Sequence, residues 1–241
     1  MMRSEANDDV QLPKHTSYES NDVNIPEEYL IIDPKDAKPI IFTPIEFSKT
    51  ELPEYDGGYT VIVDHVLSPS EYTKLIELAE SSVLNQDRVN GSSWRPAPVN
   101  IGAGMEILQP NYRNSDRIIW DNQEVVDRIW ARLKKVPEID QRLTTFNEDE
   151  LLRRRKMNGH PGSNWDFHQI NRRLRFLKYG QGHIFKPHCD SAYGKKTAGG
   201  RMLETHFTVH IYLNDSKAEG GKKLSWLGVQ LLSSLPIKRE S

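Results

Sequence analysis

Residues 1–56 carry no sustained hydrophobic period and are rich in Asp, Glu, Asn and Pro. They read as a polar, partly disordered leader with one docked strand around Tyr29-Leu30-Ile31-Ile32. The first ordered element of the domain is expected at Tyr59-Thr60-Val61-Ile62-Val63. Its branched and aromatic side chains favour a strand, and the turn formers Asp56-Gly57-Gly58 precede it. Ser68-Pro69-Ser70-Glu71 then has the grammar of a helix start. Ser68 can cap, Pro69 loses nothing at the first helical position, and Glu71 can close a capping box. Tyr72, Leu75, Ile76 and Ala79 follow at helical spacing. A second helix is predicted from Asp121-Asn122-Gln123-Glu124, with Val125, Val126, Ile129, Trp130 and Leu133 as its apolar stripe and Pro137 as its stop. Trp130 is therefore read as a core residue.

From Arg173 the period changes to two. Leu174, Phe176 and Lys178 alternate with Arg175, Leu177 and Tyr179, which predicts a partly buried strand turned by Gly180-Gln181-Gly182. A further strand is expected over residues 205–213. Strands and loops without a βαβ rhythm point to an antiparallel or mixed sheet. Between the two helices, Trp94 and Arg95 sit in a segment dense in turn formers, where a substrate contact and a packed loop anchor are both open readings. Asn114, Asp116 and Arg117 pose the same choice.

Composition adds limits. No apolar run approaches the roughly eighteen residues of a membrane span, and Met1-Met2-Arg3-Ser4-Glu5 leads into no apolar stretch, so neither membrane insertion nor a secretory signal is expected. Cys189 is the single cysteine, which rules out an internal disulfide and makes cytoplasm or nucleus the expected compartment. The net charge of −2 argues against nucleic acid as the partner. The basic run Arg153-Arg154-Arg155-Lys156 is read first as a solvated loop or helix end, because no aromatic residues interleave it.

The chemistry concentrates at His188-Cys189-Asp190. On extended backbone, His188 and Asp190 point to one face while Cys189 points away, so an imidazole nitrogen and a carboxylate oxygen can take adjacent metal positions. A distant second histidine would complete a two-histidine, one-carboxylate triad. Such a site suits Fe(II) and also accommodates Mn(II), Co(II) or Zn(II).

The run from Arg173 through Tyr179-Gly180-Gln181-Gly182 to His188-Cys189-Asp190 resembles the prolyl 4-hydroxylase-like Fe(II)/2-oxoglutarate dioxygenases. Thr208-Val209-His210-Ile211-Tyr212-Leu213-Asn214-Asp215 and Gly220-Gly221 resemble the same family's next strand and turn. The likeness extends more loosely back to about Thr60 and includes Asn114-Ser115-Asp116-Arg117. The resemblance implies a mixed α+β fold with a double-stranded β-helix, or jelly-roll, core supported by N-terminal helices. It implies a leader over residues 1–56, the dioxygenase-like domain over 57–221, and a divergent tail over 222–241. It places iron on His188 and Asp190 and puts Tyr179 in the 2-oxoglutarate pocket, where the phenol can donate to a carboxylate; a plain sheet-wall role for Tyr179 stays open. Fe(II), 2-oxoglutarate and L-ascorbate are the implied cofactors, and a prolyl, other protein or small-molecule substrate is the implied partner.

The family pattern departs after Gly221. No histidine follows His210, and Lys222 and Lys223 lie too close to the glycine turn to serve as the family's distal basic residue. The expectation is a C-terminus altered by splicing or gene structure, with the distal iron ligand missing. Three other readings remain beside the dioxygenase: a catalytically inactive domain of the same lineage acting in binding, a different metal enzyme in which His206 or His210 supplies the third nitrogen, and a nucleic-acid-binding module that uses the basic segment.

Overall fold

The computed structural model describes residues 12–15, 18–102, 104–147, 164–188, 194–200, 202–214, 226–234 and 237–238. The fold is mixed α+β, with helices packed on an antiparallel sheet and several smaller antiparallel sheets around it. The main sheet runs in the order Arg95–Pro96, Asp116–Asp121, Arg173–Tyr179, Trp226–Ser234 and Gln169–Ile170, and Thr208–Tyr212 also pairs with Trp226–Ser234.

The expected Arg173–Tyr179 strand lies at the centre of this sheet, and its register explains its alternation. Leu174 stands opposite Trp120 and Phe176 opposite Ile118, and all four are buried in the main hydrophobic cluster beneath the helices. Val209 and Ile211 of Thr208–Tyr212 pack against the same cluster. Successive side chains of a strand alternate faces, so Ile119, Leu177 and Tyr179 belong to the other face. They too are buried, which makes the middle of the sheet apolar on both sides.

The first helix, α1 (Pro69–Ser82), begins as its sequence dictates. Glu71 N–H donates to Ser68 Oγ at 3.3 Å and Ser68 N–H to the Glu71 carboxylate at 2.8 Å. The second, α2 (Gln123–Leu133), is capped by Asn122, whose side-chain oxygen accepts from Val125 N–H at 2.9 Å. Its whole predicted stripe is buried, and Trp130 stacks on Phe167 with ring centroids 4.5 Å apart. Pro137 does not act as the stop. The helix has already ended at Leu133, and Pro137 opens a third helix, α3 (Pro137–Thr144), at the position where its missing N–H costs nothing.

Residues 29–32 form turns, not the expected strand. Leu30 takes a left-handed backbone with φ of 61°, and the loop's carbonyls are gathered by α2. Arg128 donates to Pro26 O at 2.9 Å and Tyr29 O at 2.6 Å, and Arg132 donates to Leu30 O at 3.0 Å. A strand needs those carbonyls for a partner strand. Tyr29 and Leu30 are buried in the main cluster, with Val23, Ile25, Ile40 and Phe42 packed on it, so the polar leader supplies part of the domain core. At the other end, the segment assigned to a divergent tail puts Trp226–Ser234 into the main sheet, paired on one side with Arg173–Tyr179 and on the other with Thr208–Tyr212. Among the described residues, no helix is long and apolar enough to cross a membrane.

Asp36 links the leader to α1 electrostatically. Its carboxylate accepts from Ser70 N–H and from Ser70 Oγ, each at 2.8 Å, at the positive end of the helix. These bonds hold its pKa below the ordinary aspartate value. A folded pKa below the unfolded one gives stability that is present above the unfolded value and lost as pH falls through the folded value. Asp36→Asn is therefore expected to lower the melting temperature at neutral pH. The gap to wild type should close on acidification below the carboxylate range, and a gap independent of pH in thermal melts contradicts this assignment.

Candidate metal and cosubstrate site

The chain leaves the central strand at Tyr179, turns through Gly180-Gln181-Gly182, and returns as the short strand Ile184–Phe185. Gly182 has a φ of 78°, a left-handed conformation that suits glycine, and His183 N–H closes the turn on Gly180 O at 3.1 Å. Ile184–Phe185 pairs with Arg113–Asn114, placing Phe185 opposite Arg113, and Lys186 N–H extends the ladder to Tyr112 O at 3.0 Å. This pairing delivers His188.

His188 is exposed, and its ring stacks on Phe185 with centroids 3.7 Å apart and planes at 27°. Its Nδ1 lies 2.9 Å from Lys186 O. A carbonyl only accepts, so Nδ1 carries the proton, and in the neutral ring the lone pair is on Nε2. A backbone carbonyl fixing the tautomer in this way is the usual outer-shell support of a metal-binding histidine. His188 therefore fits a metal by the chemistry of its donor atom. The other predicted ligand, Asp190, and Cys189 between them lie outside the described residues.

Tyr179 is buried. The register that pairs Lys178 with Asp116, continued by one residue, brings Tyr179 beside Ser115. Burial pushes the phenol pKa above its ordinary value; the neighbouring Ser115 hydroxyl and the Arg113 charge oppose the shift without reversing it. The group is thus a neutral donor near pH 7. Arg113 reaches the same place from the neighbouring strand. Its guanidinium sits 4.5 Å from the Phe185 ring centroid, and Nε donates to Ser115 Oγ at 3.4 Å. Tyr112 closes the other side of Phe185 edge-on, with centroids 5.8 Å apart.

Sequence reading passed over Arg113, Ser115 and Phe185. Arg113 and Ser115 are two residues apart and so share a face of extended chain, a signal that acquires meaning only once the strand partner is known. The candidates chosen instead are structural. Trp94 is buried, and its indole donates to Glu80 at 2.6 Å, so it is the packed loop anchor; Arg95 pairs with Asp87 at 3.3 Å. Arg117 is held by Glu106 at 2.9 Å and by Tyr18. Asn114 is a ladder residue opposite Ile184, and Asp116 one opposite Lys178. Pro98, whose carbonyl accepts from Arg113 at 3.5 Å, also lines a cleft of about 190 Å³ with Arg95, Arg117 and Ile119.

His183, His206 and His210 stand at separate places. His183 lies in the turn after Tyr179, with Nδ1 buried and lacking a hydrogen-bond partner among the described residues. His206 meets the buried Trp165 ring edge-on at 4.6 Å. His210 is exposed on Thr208–Tyr212, on the face opposite Val209 and Ile211. Among the described residues, no three His, Cys, Asp or Glu side chains are grouped to hold a metal. The basic run at 153–156 and the glycine turn at 220–221 with Lys222 and Lys223 fall outside the described residues. Comparison of this chain with family models, with curated proteins and with solved structures finds no match, so the meaning of the site rests on its own residues.

Proposed function

We propose that this chain is an Fe(II)- and 2-oxoglutarate-dependent dioxygenase that hydroxylates a prolyl or other protein or small-molecule substrate. In this reading His188 and Asp190 hold the metal, and the main sheet is one wall of a double-stranded β-helix. The observation that supports the proposal is the Nδ1 hydrogen bond of His188 to Lys186 O, which would make Nε2 the nitrogen that meets a metal. A sheet covered by helices on one face, with Tyr179 on the other, is the arrangement such a core requires.

When bound, Fe(II) with 2-oxoglutarate and dioxygen supplies the oxidising power for C–H hydroxylation, and L-ascorbate keeps the metal reduced. The chain's own part is to bind and orient. His188 would offer its imidazole, with Nδ1 held by Lys186 O and the ring stacked on Phe185. Asp190 would contribute a carboxylate and its charge. Tyr179 stays protonated and donates to a carboxylate from a buried position.

Metal binding tests the proposal without a known substrate. Titrating the full chain with Co(II) under anaerobic conditions and following the visible absorption is expected to show one site. His188→Ala and Asp190→Ala should each weaken it by more than the roughly 10–100-fold that outer-shell partners alone are worth. Saturable binding that survives both substitutions would remove the metal from this site. No binding at all would leave the inactive-domain reading in its place.

A further inference from the structure

The cleft of about 190 Å³ lies on the face of the main sheet turned away from the helices, where Arg117 and Ile119, two residues apart on one strand, line its sheet side. The leader supplies another wall. Lys14–His15 pairs with Met105–Ile107 in a separate small sheet, and Leu12, Lys14 and Ile107 contribute to the lining. The lining is graded from inside to outside. Ile119 is 7% exposed, and the Arg117–Glu106 pair lies deep with side chains 11% and 5% exposed, whereas Leu12 is 74% exposed and Lys14 is also exposed. Glu106 is answered by Arg117 at 2.9 Å and by the Tyr18 hydroxyl, so this buried carboxylate calls for no further cation. Arg95 meets Asp87 at 3.3 Å in a pair about one-third exposed on both sides, which is a weak tie. Lys14 makes no ion pair among the described residues. Three cations against the carboxylates of Glu106 and Asp87 leave one positive charge over, and it sits at the rim.

We infer that this cleft binds a small amphipathic monocarboxylate, with a ring-sized apolar body seated against Ile119 and Ile107 and its carboxylate at the rim, met by Lys14 and Arg95. The cleft uses none of the residues proposed to hold metal or cosubstrate, so it stands or falls independently of them. Size sets the body. An enclosed apolar cavity of about 150 Å³ holds a benzene molecule, whereas drug-sized ligands occupy roughly 300 Å³ or more. Depth sets the orientation. An apolar group gains by leaving water at Ile119, Ile107 and Leu108, while a carboxylate at the rim keeps part of its hydration and escapes the cost of full burial. Charge sets the sign. A cationic ligand would meet Lys14 and Arg95 as like charges, and an anion finds in Lys14 an ammonium with no fixed partner among the described residues.

The test titrates benzoate, benzamide and 2-oxoglutarate separately into the metal-free full chain at low ionic strength, followed by saturation-transfer NMR. Benzamide keeps the ring and removes the charge; 2-oxoglutarate keeps charge and removes the apolar body. Benzoate is expected to bind saturably, and more tightly than either of the others. Lys14→Gln should weaken benzoate about 3–5-fold, the upper range for one exposed charge pair, and leave benzamide unchanged. Lys14→Glu, which reverses the charge, should weaken benzoate more than Lys14→Gln does. Lys14 is exposed and joins its strand through the backbone, so both variants should keep the wild-type fold, and Arg95→Gln, expected to act in the same direction, is the informative variant if they do not. Absence of saturable benzoate binding overturns the inference, as does equal affinity for benzoate and benzamide. So does weakening of both by the same factor in the Lys14 variants, or of neither. Tighter binding of 2-oxoglutarate than of benzoate by the metal-free chain overturns the monocarboxylate assignment.

Discussion

Arg132→Met is expected to cost about 3–5 kcal/mol of unfolding free energy, a large part of the roughly 5–15 kcal/mol that holds a typical domain together. Arg132 meets Glu71 in a two-pronged ion pair with N···O distances of 2.5 and 2.7 Å, and only 5% and 6% of the two side chains are exposed. The guanidinium also donates to Leu30 O at 3.0 Å and Val66 O at 3.2 Å, and lies 3.3 Å from Asp33. One side chain on α2 thus ties down the leader, the approach to α1 and the α1 capping residue. Methionine fills the volume but leaves the Glu71 carboxylate buried without its cation, which is the expensive half of the loss. Tyr29, whose buried hydroxyl donates to Glu71 O at 2.9 Å, has its phenol pKa pushed up mainly by burial and sits in the same packed corner. Glutamine at position 71 removes the stranded charge and can still complete the capping box with Ser68. The double variant Arg132→Met/Glu71→Gln is therefore expected to recover much of the loss. Urea unfolding of the full chain with an unchanged m-value reads these differences. A cost below about 1 kcal/mol for Arg132→Met contradicts the view that this pair fastens the leader to the domain.

The elements that were legible in the sequence are those whose cause is local. Ser68 and Glu71 sit three residues apart and cap one another. The α2 stripe and the two-residue alternation of Arg173–Tyr179 are written in consecutive residues. The misreadings have distant causes. An apolar run such as Tyr29-Leu30-Ile31-Ile32 fits a strand until Arg128 and Arg132, about a hundred residues on, take its carbonyls. Pro137 is as compatible with a helix start as with a helix end, and only the chain geometry after Leu133 decides. Trp226-Leu227-Gly228-Val229-Gln230-Leu231-Leu232 has the composition of a strand, but its place in the sheet depends on a pairing with Arg173–Tyr179 some fifty residues away. In the candidate site, His188 could be chosen from its spacing to Asp190 and Tyr179 from the family resemblance. Arg113 could not, because its approach to Phe185 depends on a strand pairing across some seventy residues.

His188→Ala carries the second large effect. The substitution removes the imidazole whose tautomer is set by Lys186 O and whose ring is clamped on Phe185, while deleting no buried contact of the main cluster. His188 is exposed, so the variant should fold with wild-type stability, and any loss of function then belongs to the site. On the proposed dioxygenase reading, Asp190→Ala should match it in function, because one protein ligand alone would not hold iron in place. On the same reading, Tyr179→Phe removes one donor and is expected to weaken 2-oxoglutarate binding while sparing metal binding.

The most direct measurement is Fe(II)-dependent conversion of 2-oxoglutarate to succinate by the purified full chain with ascorbate present, run beside His188→Ala and Asp190→Ala. The account predicts succinate formation by wild type that requires iron and falls to the protein-free level in both variants. Wild type that binds iron yet forms no more succinate than the two variants contradicts it.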